Sequence, residues 1–127
     1  MANGRQAAAE LWQAASGGQF KLDDRTAYEL AAHFQWFADE MVRRQTEVSN
    51  LQALDGFGGF VSAQHLQHGF EEKAVQAFNA LKAAEESAYR MKAAVLQAAG
   101  KAGEVEAANT AAIQAASRSI PDVKKPW

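Results

Sequence analysis

The large apolar residues of the chain recur at alternating four- and three-residue steps. The first run reads Leu30, Phe34, Phe37, Met41, Val48 and Leu51, with Arg44 as its one polar interruption. Apolar positions in that rhythm line one face of an α-helix and, when sustained, a seam against a second helix. The second run reads Leu66, Phe70, Ala77, Leu81, Ala84, Ala88, Met91, Val95, Ala98, Ala102 and Val105, and from Ala77 onward the alternation is unbroken. Between the runs, Asp55-Gly56-Phe57-Gly58-Gly59 concentrates glycine where a helix cannot continue cheaply. The pattern predicts two long helices, of roughly thirty and forty residues and about 45 and 60 Å, joined through a turn at 55–61. So short a connection makes them antiparallel neighbours.

Boundary signals refine this. Phe20-Lys21-Leu22-Asp23-Asp24 opens the first long helix, with Asp23 as N-cap and Asp24 against the positive end of the helix dipole. Ser62 is the candidate cap of the second. Ahead of them, Gln6 to Ala15 has helical composition and is stopped by Ser16-Gly17-Gly18, which predicts a short, loosely held helix. Past Val105 the small and polar residues, together with Gly100 and Gly103, predict a frayed tail ended by Pro121 and Pro126. The expected organisation is a short N-terminal helix and linker (1–19), a helical hairpin (20–108) and a flexible tail (109–127).

One hairpin buries a single stripe on each rod, too little to offset the chain entropy, so a partner is expected. Val75, Phe78, Tyr89 and Leu96 form a stripe rotated from the main seam, and Trp36 lies off the seam of the first helix. These five are the expected partner interface. The alanines at 77, 84, 88, 98 and 102 let backbones approach closely and receive a neighbour's large side chains. The expected fold class is therefore all-α, with two hairpins pairing into a four-helix bundle.

Composition strengthens the helical reading, since 29 of the 127 residues are alanine, the best helix former. Cysteine is absent, which removes disulfides, thiolate metal sites and cysteine nucleophiles. A formal net charge of -2, with no basic cluster beyond Arg43-Arg44 and Lys124-Lys125, gives no footprint for nucleic acid or anionic lipid. The opening Met1 to Gln6 runs into an Ala-rich polar stretch, so neither a Sec-type signal peptide nor a membrane span is expected there.

The candidate chemistry is sparse. His65, His68 and Glu72 share one helix face, but a di-metal bundle needs matching ligands on the other helix, where His33 with Asp39 or Glu40 is the only complement, and no Glu-x-x-His pair exists. No metal or other cofactor is expected. The serines Ser16, Ser49, Ser62, Ser87, Ser117 and Ser119 lie in no strand-to-helix elbow, and Ala-rich rods leave no cavity to desolvate a nucleophile, so no enzyme is expected. The glycine turn lacks the Lys-Ser/Thr of a phosphate loop. Asp39/Arg43, Glu40/Arg44 and Glu86/Arg90 have the favourable i, i+4 order and mark solvated faces.

With the Phe20-Lys21-Leu22-Asp23 opening, the turn Phe57-Gly58-Gly59 and the run Gly59-Phe60-Val61-Ser62-Ala63-Gln64 in hand, the chain resembles the small helical-hairpin proteins of type VII (ESX) secretion in actinobacteria. Those are named for a Trp-x-Gly (WXG) turn, read here as Phe57-x-Gly59. The likeness covers about Phe20 to Ala108. It implies pairing with a cognate helical-hairpin protein or the N-terminal domain of a toxin or effector, as secreted partner or targeting chaperone. It also implies contact with the secretion machinery and a cytoplasmic origin followed by a non-Sec route out. The family's export signal, Tyr-x-x-x-Asp/Glu after the second helix, is degenerate: Glu104 supplies the acid and Gly100 stands in place of the Tyr. The alternative is a homo-oligomeric helical scaffold with no secretion role, the commoner outcome for self-complementary helical surfaces.

Overall fold

The computed structural model describes residues 2–53 and 59–121. Four helices form: α1 (Ala2–Ser16), α2 (Asp24–Ser49), α3 (Val61–Ala98) and α4 (Ala102–Ser117), with a single 3-10 turn over Asn50–Ala53 after α2. Among the described residues there is no strand, and the chain is all-α. At 26 and 38 residues, α2 and α3 are the two long helices of the expected hairpin.

Their starts have contrasting causes. Asp23 is extended (φ −72°, ψ 164°) and its carboxylate accepts the Thr26 N–H at 2.7 Å, satisfying a backbone donor the helix leaves free. That hydrogen bond lowers the Asp23 pKa from its ordinary value. At α3 the N-cap is Phe60, which has no side-chain cap, and Ser62 falls inside the first turn and not at the cap.

Two helix ends share one device. At the end of α1, Gln19 N–H donates to Ala14 C=O and Gly18 N–H to Ala15 C=O, with Gly18 at φ 77°. At the end of α3, Lys101 N–H donates to Leu96 C=O and Gly100 N–H to Gln97 C=O, with Gly100 at φ 72°. Both are Schellman motifs, in which a left-handed glycine ties off the last carbonyls. The second stop corrects the expected tail. The four-three alternation runs straight through Gly100, but the backbone reverses there, and α4 folds back onto α3 as an ordered helix with Val105, Ala108, Ala112 and Ala115 buried.

α3 is the axis on which the other three helices pack, each against α3 and not against one another at backbone range among the described residues. Lys92 donates to Gln35 and Gln45 donates to Glu85, so α3 numbers fall as α2 numbers rise and the pair is antiparallel. α1 runs alongside α3 from Glu86, which takes Arg5, to the cluster of Ala31, Ala93, Val95, Leu96, Val105 and Ala108, against which Leu11 and Trp12 pack. The linker is anchored too, Leu22 N–H donating to Ala98 C=O at 3.0 Å. The N-terminal helix is thus docked, in contrast to the loosely held helix the sequence predicts.

The chain's own helices enclose the C-terminal half of α3. Ala93, Ala94, Val95 and Leu96 are buried in succession, which requires neighbours on every side of the helix. Toward its N-terminus α3 outruns α1 and α4, and none of residues 61–73 is buried.

Candidate helix-docking groove

The α2 face that meets α3 is rotated one position from the predicted seam. The buried residues of α2 are Ala27, Ala31, Ala38, Gln45 and Ser49, at heptad-like spacing. Small side chains at the contact let the two backbones close up, and the large ones are displaced to the flanks. Leu30, Phe34, Met41 and Val48 are half-buried, while Phe37 (42% exposed) and Leu51 (46%) face outward. On α3, Val95 of the predicted seam is buried, Leu81 and Met91 are half-buried, and Leu66 and Phe70 are exposed.

One flank forms an open apolar groove of about 640 Å³ between α2 and α3. Its walls are Phe34, Trp36, Phe37 and Met91, and its floor is Ala80, Ala83, Ala84 and Ala88. Trp36 keeps 63% of its surface exposed. The groove is closed at one end by Gly4 in the first turns of α1, with His33 and Ser87 as the nearby polar groups. A methyl group on Gly4 would stand 3.1 Å from Ser87 Oγ, so a larger residue there would press on the Ser87 side chain. Alanine floor and aromatic walls suit the apolar side chains of a helix laid along the groove.

Of the other expected interface residues, Val75 is exposed on α3 and Tyr89 is half-buried. Phe78 and Leu96, each 2% exposed, are buried by the chain's own helices and cannot anchor a partner. The turn motif is described only at Gly59, which is exposed with open space around it; Phe57 and Gly58 lie outside the described residues. Glu104 stands in the first turn of α4 and accepts a hydrogen bond from the Tyr28 hydroxyl at 3.0 Å, which raises the Tyr28 pKa. Beside them Lys101 donates to Asp24 at 2.7 Å, an ion pair that raises the Lys101 pKa.

Sequence reasoning missed the charged layer inside the bundle. Glu85 and Glu86, 1% and 4% exposed, are buried neighbours on α3. Glu86 accepts from Arg5 at 2.7 Å and from Arg90 at 2.8 Å. Burial alone would raise its pKa, but these guanidiniums outweigh burial and hold the carboxyl below its ordinary value. Glu85 accepts from Gln45 at 2.8 Å and pairs with Arg118, which follows α4 and also donates to Gln45. Glu86/Arg90 has the spacing of a solvated pair; the signal in the sequence that points inward is the position of both acids between Ala83-Ala84 and Ala88.

Elsewhere the charge pattern is superficial. Glu40 pairs with Arg43 and Arg44, and Asp39 accepts from Gln35 and not from Arg43. His68 pairs with Glu72 at 3.0 Å. Among the described residues no group of three His, Asp or Glu side chains is placed to hold a metal ion, and no helix is long and apolar enough to cross a membrane. Comparison of the chain with protein-family models, curated proteins and solved structures finds no match.

Proposed function

We propose that the chain is a non-catalytic pairing module, a type VII (ESX)-like secretion subunit whose α2–α3 groove receives a helix from a cognate helical-hairpin protein or an effector's N-terminal domain. The observation that carries the reading is the groove: three aromatic side chains from α2 over an alanine floor on α3, with Trp36 largely exposed. Exposed tryptophan beside an apolar trough is the composition of an interface centre. The secretion role rests on the Phe20–Asp23 opening, the Phe57-x-Gly59 turn and the Gly59–Gln64 run. With Gly100 in place of the export tyrosine, the chain is the signal-less member of the pair or a targeting chaperone, and its partner carries the signal.

The test is light scattering of the chain alone and co-expressed with the product of a neighbouring gene. A folded monomer that becomes a 1:1 complex, lost on Trp36→Asp with circular dichroism unchanged, is the expected result. A complex indifferent to Trp36→Asp sinks the groove as the pairing surface.

A second reading, the homo-oligomeric scaffold, draws on the enclosure of Ala93–Leu96 by the chain's own helices, which removes the need for a different partner in order to fold. A single stable dimer or tetramer of the chain alone supports it.

A further inference from the structure

α1 and α4 both lie on α3 without meeting each other at backbone range among the described residues, and an open cleft of about 710 Å³ runs between them. At its base lies Glu86, whose side chain is 5% exposed and is held by Arg5 of α1 and Arg90 of α3. Burial works against ionisation of that carboxyl, but the two guanidiniums outweigh it. Glu86 is the one acid lining the cleft among the described residues, so two cations and one anion leave a surplus of a single positive charge. We propose that this cleft binds a small planar aromatic carboxylate, its anionic group on Arg5 and Arg90 and its ring against Trp12 and Ile113.

Three features single out that class of ligand. First, Glu86 does not use up its guanidiniums: Arg90 reaches it through Nε and keeps both terminal amino groups, while Arg5 reaches it through one terminal nitrogen and keeps the other and its Nε–H. Such forks match a carboxylate with parallel hydrogen bonds, and one negative charge neutralises the surplus. Second, the apolar part of the lining includes Trp12, half-buried, and Ile113, 59% exposed, so a ring laid against them takes apolar surface out of water. Third, Gln13 on α1 and Asn109 on α4 have carboxamides with no hydrogen bond to another described residue, which leaves donors and acceptors on both walls for the ligand. The volume is that of a small-molecule site. The cleft shares no lining residue with the α2–α3 groove, so the site is independent of the pairing reading.

Amide NMR of the full chain titrated with indoleacetate tests the site, with tryptophol as the uncharged analogue of the same ring system and acetate as the anion without a ring. The expected result is saturable shifts at Ala9, Trp12, Arg90, Asn109 and Ile113, with indoleacetate bound at least about tenfold more tightly than either control. Ile113→Glu sets a second carboxylate in the cleft at an exposed position. It should weaken indoleacetate at least about tenfold and leave the melting temperature unchanged, whereas Trp36→Asp should leave the affinity as it is. Either control binding as tightly as indoleacetate overturns the proposal, and so does an affinity indifferent to Ile113→Glu. Shifts centred on Trp36 and Phe37, or no saturable shift up to about 10 mM, overturn it as well. None of these failures touches the pairing reading, which is decided separately by Trp36→Asp and the mass of the complex.

Discussion

Glu85 and Glu86 are adjacent on α3, yet they hold opposite ends of the chain: Glu86 takes Arg5 from α1, and Glu85 takes Arg118 from beyond α4. The difference between them lies in their second partners. Glu86 has Arg90 on its own helix, whereas Glu85 has only the neutral amide of Gln45 across on α2.

Removing the two arginines should therefore cost unequal amounts. Arg118→Ala leaves a buried carboxylate with one neutral donor and should destabilise the fold by about 2–3 kcal/mol. Arg5→Ala leaves Glu86 paired and should cost less than about 1 kcal/mol. Urea unfolding of both variants measures the gap, and equal losses would refute the asymmetry.

The lowered Glu86 pKa fixes a pH dependence. A carboxylate with a depressed folded pKa contributes stability that is complete above its unfolded pKa, about 4.3 for glutamate. That contribution is lost as the pH falls through the folded value. Wild type should lose its advantage over Glu86→Gln between roughly pH 5 and pH 3, as followed by thermal melts across that range. A difference constant from pH 7 to pH 3 would count against the pairing.

The burial pattern separates core from docking surface. Phe78→Ala should cost about 3–5 kcal/mol, because the ring is 2% exposed. Ala38→Leu should cost about 1–3 kcal/mol by overfilling the α2–α3 contact. Trp36→Ala should stay within about 0.5 kcal/mol of wild type, as exposed substitutions do, and weaken only association. Stability measured on the isolated chain decides the first part, and the mass of the complex the second.

Two glycines should respond in opposite directions. Gly100 has open space around it but φ 72°, so Gly100→Ala should destabilise by about 1–2 kcal/mol through backbone strain alone. Gly69 lies inside α3 with nothing within 4 Å of an added methyl. Gly69→Ala should stabilise by about 0.5–1 kcal/mol. Melting temperatures of the two variants on either side of wild type would bear this out.

Much of the fold was legible because its signals are local. Asp23, the Ser16-Gly17-Gly18 stop and the start of α3 at Val61 follow from capping and glycine chemistry that acts within a few residues. The seam was misplaced by one residue because weight was given to side-chain size. Here the tightest contact is made by Ala27, Ala31 and Ala38, which size-weighted patterning discounts in favour of Leu30 and Phe37. The reversal at Gly100 escaped because apolar spacing carries no record of one left-handed residue, and α4 keeps the rhythm after the turn. The burial of Glu85 and Glu86 escaped because their cations, Arg5 and Arg118, are far away in sequence. At the groove, Trp36 stands off the seam in the sequence pattern and is exposed in the fold, whereas the floor of Ala80, Ala83, Ala84 and Ala88 depends on how α2 and α3 pack, which apolar spacing does not record.

The long span between Arg5 and Glu86 also orders events during synthesis. The helix that carries Arg5 leaves the ribosome 81 residues ahead of the carboxylate that receives it, an interval of about 4–16 s at ordinary elongation rates. Throughout that interval α1 has no α3 to lie on, whereas α4 meets its own seat as soon as it emerges. The nascent chain therefore passes through a period in which its first helix is free to be engaged by something else, before the folded protein can claim it.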